Sequence, residues 1–195
     1  MNKAVFLPIF ALVALFLTAA PTSAQRDYLT PEEVELIRDA QQIDNRIEIL
    51  TTAIDRRFEV LNLNVGATKR VKKTKSGDKE EWGAMPTGTR FELLLDIKRI
   101  LQKSIDEIDN LADRPNALTI DPDEKKPKSF EELFPKAVRS LADAAKRYAP
   151  VLKGELDKNN DPGEKGSVLD SLEMCSQIID SVNRLPAKMN KAKGK

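Results

Sequence analysis

The chain has 195 residues with 32 lysines and arginines against 31 aspartates and glutamates, so its formal net charge is only +1. That near balance excludes a global field able to recruit nucleic acid or membrane, leaving only local patches to do so. Histidine is absent and cysteine occurs once. These two counts exclude an intramolecular disulfide, Cys-x-x-Cys sites, histidine triads, histidine-ligated zinc or haem, and the Glu-x-x-His sites of di-iron bundles.

The N-terminus carries Lys3, an almost unbroken apolar run from Ala4 to Leu17, and the small-residue stretch Thr18 to Ala24. A charged start, a short apolar region and small residues at Thr22 and Ala24 are the parts of a cleavable secretory signal. The run is short of the roughly 20 residues that span a bilayer, and no stop-transfer pattern follows. Residues 1–24 are therefore read as a signal peptide, residues 25–186 as one helical domain, and 187–195 as a basic mobile tail. The expected destination is the periplasm or the medium. Cleavage removes only Lys3 from the charge count and leaves a formally neutral mature chain.

Thr30-Pro-Glu-Glu33 has the pattern of a helix start: Thr30 as cap, Pro31 at the first helical position, Glu33 reaching back to the cap amide. Ala40, Ile43, Ile47, Leu50, Ile54 and Leu61 then fall on alternating steps of three and four, predicting one long first helix with a heptad-like, coiled-coil stripe that ends at Gly66. At 1.5 Å per residue it would be a rod of about 50 Å. Arg57 breaks the stripe and is a candidate partner-contact residue. Leu29-Thr-Pro-Glu-Glu33 is also similar to the LTxxQ-type repeats of small periplasmic stress chaperones, but glutamate replaces the glutamine and there is no second copy. The family is not assigned on it.

Ala67 to Gly88 has no helical period and reads as a long loop, with a small hairpin about Ser76-Gly-Asp78 as a minor alternative. It contains Lys69, Arg70, Lys72, Lys73 and Lys75, a basic run with no acid and a candidate site for an anionic polymer or membrane surface. Asp78, Glu80 and Glu81 follow closely and offer internal neutralisation. Trp82, the only tryptophan, either pins this loop to the bundle or anchors a partner, and is the second partner-contact candidate.

Thr89-Arg-Phe-Glu92 repeats the capping box and opens a second helix that Arg114-Pro115 ends. Pro115 to Lys128 is a proline-spaced connector with Leu118 and Ile120 as an apolar tether. Ser129-Phe-Glu-Glu132 opens a third helix, with Pro135 expected to start its main part and Pro150 to kink or interrupt it. Lys158 to Gly166 reads as a loop, with Asp161-Pro-Gly163 as a turn, and Ser167 as the cap of a fourth helix. The Asp157 to Asp161 segment begins like a calcium loop, but Pro162 and Val168 stand where that motif needs glycine and glutamate.

The expectation is an all-α, elongated, up-and-down bundle of four main helices with two long loops. No catalytic, cofactor-binding or metal residues are assigned. Cys175 lies on the apolar stripe of the last helix, where a free thiol acts as a small hydrophobe. The carboxylates lack the paired pattern and aromatic company of a glycosidase. The functional expectation is a non-catalytic exported bundle that binds another protein or itself along the first helix and the long loop, with no cofactor and no specific nucleic acid. The alternatives are binding of an anionic surface through Lys69 to Lys75, or an enzyme using carboxylates or lysine.

Overall fold

The computed structural model describes residues 26–66, 81–115, 128–158 and 160–185. The signal sequence, the basic run Lys69 to Lys75, the hairpin about Ser76, the Leu118 and Ile120 tether and the basic tail all lie outside those residues. The described chain is all-helical, with five α-helices packed together: α1 Pro31–Asp39, α2 Ile43–Val60, α3 Arg90–Asp113, α4 Phe130–Lys158 and α5 Pro162–Ser181, the last followed by a 3₁₀ turn Val182–Arg184.

The count of five corrects the expected four, because the long first helix is two. Ala40 and Gln42 both take extended backbone between α1 and α2. The cause lies in the ion pairs. Glu33 and Arg57 are 24 residues apart, which a continuous helix would set roughly 36 Å apart. The break folds α1 back so that Arg57 Nη1 reaches Glu33 Oε1 at 2.6 Å. Arg46 Nε donates to the carbonyl of Ala40 at 3.1 Å, satisfying an acceptor that the break leaves open.

Two further ends and one helix interior differ from expectation. The stop of α2 is Asn62, with φ 56°, rather than Gly66; the N–H of Leu63 bonds Phe58 O at 2.8 Å, the long-range bond of a Schellman ending. Gly66, also left-handed at φ 74°, closes a separate turn on Asn64 Oδ1. The start of α5 is Pro162 rather than Ser167, since Asp161 Oδ1 accepts from the N–H of Glu164 at 2.9 Å and Pro162 needs no donor at the first helical position. Finally, α4 runs unbroken through Pro135 and Pro150. Pro150 is exposed, so water can serve the carbonyl that it leaves unpaired, and Tyr148 and Leu152 hold the helix in the core on either side. By contrast, α3 begins on the expected Thr89 to Glu92 capping box and ends before Arg114.

Cross-helix pairs fix the directions. Arg46 with Glu107, and Arg57 facing Asp96, set α2 and α3 antiparallel. Lys136 with Asp44 and Arg147 with Asp55 set α4 parallel to α2. Lys98 with Asp170, and Arg90 with Glu164, set α5 parallel to α3. Between them lies one core built from Ile47, Leu50, Ile54 and Phe58 of α2, Leu94, Ile97, Ile100 and Leu101 of α3, Leu141 and Leu152 of α4, and Val168 and Ile178 of α5. Ala137, Ala142, Ala144 and Ala145 are buried along α4, and their small side chains let neighbouring helices approach.

Cys175 belongs to that core, fully buried, and burial pushes its thiol up to about 12. A thiol reagent at pH 8 is expected to modify the native protein about a thousandfold or more slowly than the urea-unfolded chain, because reaction must wait for opening of α5. Equal rates would place Cys175 at the surface.

Candidate functional site

The most unusual chemistry lies where α1 meets α2. Thr30 caps α1 through its hydroxyl, and Glu33 returns the bond from Oε2 to the Thr30 N–H at 3.0 Å. A capping-box glutamate ordinarily faces water. Here Glu33 is 0% exposed and carries four donors on its two oxygens. Oε1 accepts from Arg56 Nη1 at 2.7 Å and from Arg57 Nη1 at 2.6 Å; Oε2 accepts from Arg57 Nη2 at 2.7 Å as well as from Thr30. The Arg57 pair is bidentate, the strongest and most directional form of this contact.

Arg57 is also fully buried. It donates further to Ala53 O at 2.8 Å and Tyr28 O at 2.7 Å, so four of its five N–H groups are used. The fifth, on Nε, has no hydrogen-bond partner and lies 4.0 Å from Asp96 Oδ2. Asp96 is itself buried on α3 and accepts from Arg26 Nη2 at 2.5 Å, while Arg26 Nη1 donates to Thr87 O at 2.7 Å. Burial pushes the Asp96 carboxyl above its ordinary value, against the opposing pull of Arg26, Arg57 and Arg99. The sign follows directly: a carboxyl raised by folding weakens the folded state at neutral pH, and that penalty is relieved as pH falls through its folded pKa.

Arg56 carries the same network outward. Its Nη2 donates to Ala84 O at 2.5 Å and to Gly83 O at 3.4 Å, and its guanidinium sits 5.5 Å from the centroid of the Trp82 ring. Gly83, at φ 60°, lies so close to α1 that a Cβ there would meet the Glu32 carboxyl at 2.5 Å. Three guanidiniums thus fasten α1, α2, α3, the Arg26 to Tyr28 segment and residues 82–87 into one unit, with Glu33 at its centre.

Both partner-contact candidates belong to this unit. Arg57 does not face outward: the break that it makes in the apolar stripe is answered inside the chain by Glu33. Trp82 is half-buried, packs on the core and lies under Arg56. Its iodide quenching is expected to be several-fold weaker in the native protein than in the unfolded chain. Equal quenching in the two states would mean that the ring is free. The anion-binding candidates Lys69, Arg70, Lys72, Lys73 and Lys75 lie outside the described residues.

Sequence reading misses Glu33 as a hub, along with Arg26, Arg56 and Asp96. One signal was available: Asp96 interrupts the run Leu93 to Ile97, an acid on the buried side of α3. A second polar fastening was also missed. On α4, Tyr148 and Arg147 meet Asp55 of α2, with the Tyr148 hydroxyl 2.8 Å from Asp55 Oδ1 and Arg147 3.4 Å from Asp55. Near the other end of α2, Arg46 and Lys103 bind Glu107 at 2.8 and 3.0 Å; burial pushes that carboxyl up, but the two cations outweigh it and hold it below its ordinary value. No family model matches this chain, and no match was found among curated proteins or solved structures.

Proposed function

We propose that the protein is an exported, non-catalytic, up-and-down helical bundle that works by binding another protein, or a second copy of itself, along α1 and residues 81–88. The observation that carries this reading is the Glu33 unit. It holds α1 and the 82–87 segment side by side through buried charge, and each of them presents a large apolar side chain to solvent: Val34 is 45% and Met85 40% exposed. A surface composed of two chain segments locked in register suits recognition, since little ordering cost remains at binding.

The alternating directions of α2 to α5 support the bundle. The non-catalytic reading is supported by the burial of two side chains that could otherwise act as nucleophiles, which drives Cys175 and Tyr148 away from their ionised forms. Export is supported by the signal-like pattern of residues 1–24, with a charged start, a short apolar run and small residues at Thr22 and Ala24. Among the described residues no helix is long and apolar enough to cross a membrane.

Photo-crosslinking side chains placed at Val34 and Met85, with Phe91 and Leu169 on other helices as controls, test this reading in intact cells. A discrete crosslinked species from the first two positions and none from the controls is expected. Crosslinking that is absent, or equal at all four positions, would contradict it.

A further inference from the structure

A cleft of about 670 Å³ lies between the Arg26 to Tyr28 segment and the outer face of α3, outside the α1 surface and independent of any partner there. Its size is that of a small-molecule site, but its walls are charged. Arg26, Arg99, Lys103 and Glu107 are half-buried in it, whereas Asp27 and Asp106 are exposed.

The three cations differ in commitment. Arg26 is spent on Asp96 and Thr87 O, and Lys103 on Glu107, which Arg46 shares. Arg99 has no hydrogen bond or ion pair with any described residue, and acts on Asp96 only at longer range. A half-withdrawn guanidinium whose five donors no described residue uses is a ready seat for a carboxylate. The exposed acids Asp27 and Asp106, the latter also accepting from Gln102 Nε2 at 2.9 Å, repel a compact polyanion and suit an ammonium group. Tyr28, half-buried and packed on the core, also lines the cleft.

We infer that this cleft binds a dipolar ligand, a free amino acid or short peptide, with its carboxylate on Arg99 and its amine toward Asp27 and Asp106. The test is calorimetric titration of the intact protein with trialanine, alongside N-acetyl-trialanine, trialanine amide and inorganic phosphate. Trialanine is expected to bind saturably at millimolar concentration or below, and each blocked peptide more weakly. Arg99→Gln, which removes no hydrogen bond or ion pair among the described residues and is expected to keep the helical spectrum, should weaken trialanine about tenfold or more. Arg99→Lys should recover part of that loss. No saturable binding, an unchanged affinity in Arg99→Gln, or phosphate or N-acetyl-trialanine binding as tightly as trialanine would overturn the inference.

Discussion

Glu33→Ala is expected to destabilise the folded chain by about 3–5 kcal/mol, an effect out of proportion to the loss of a helix-capping side chain. Loss of the cap interaction alone costs about 1 kcal/mol. The rest comes from Arg57, which is 0% exposed and loses both bonds of its bidentate pair, together with Arg56, which loses one. Neither guanidinium can recover water without opening α1. Arg57→Met should cost a similar amount, because it strands Glu33 among the Thr30 amide and Arg56 alone. The double variant Glu33→Leu, Arg57→Met should cost clearly less than the sum, since apolar groups of similar volume remove the buried charge together with its partner. Urea unfolding with an unchanged slope measures all three. A Glu33→Ala loss under about 1 kcal/mol would mean that the pair is open to solvent.

The second large effect is expected at Tyr148, where Tyr148→Ala should cost about 3–5 kcal/mol and Tyr148→Phe about 1–2 kcal/mol. The ring is fully buried and packs on Phe58 with centroids 5.2 Å apart, so truncation leaves a cavity between α2 and α4. The hydroxyl lies 3.0 Å from Thr51 O and 2.8 Å from Asp55 Oδ1 and has one proton to share between them. Tyr148→Phe loses that proton but leaves Asp55 its contact with Arg147, hence the smaller figure. Burial, with Asp55 beside it, raises the phenol well above its ordinary pKa. The unfolded tyrosine therefore ionises first, and stability should fall as pH climbs through the ordinary tyrosine range. In Tyr148→Phe that alkaline loss should be smaller. Equal stability for Tyr148→Phe and wild type would contradict the buried hydrogen bond.

What the sequence made legible follows from how local each signal is. The start and end of α3 were readable because its capping box and its Arg114-Pro115 stop involve residues three or four apart. The break between α1 and α2 was not. Its cause is Glu33, whose partners lie 23 and 24 residues onward and meet it only after the chain folds back. The apolar stripe runs across that break without a fault, because the pattern that suits a long rod also suits two helices sharing one core. Arg57 stood out as the one charge in the stripe, but sequence gives no direction to such an anomaly, and the answer was an internal carboxylate. At α5, Asp161-Pro-Gly163 fits a turn and a helix start equally well, and the Asp161 side-chain bond to Glu164 decides it. The cleft at Arg99 leaves no local trace, since its walls come from the N-terminal segment and from successive turns of α3.

Buried charge on Glu33 holds α1 and residues 82–87 against α2 and α3. Hydrogen exchange of wild type and Glu33→Gln, compared segment by segment in conditions where both are folded, tests it most directly. The variant is expected to lose protection in α1 and in residues 82–87 while α4 and α5 keep theirs. Loss spread evenly over all five helices, or none in α1, would contradict the account.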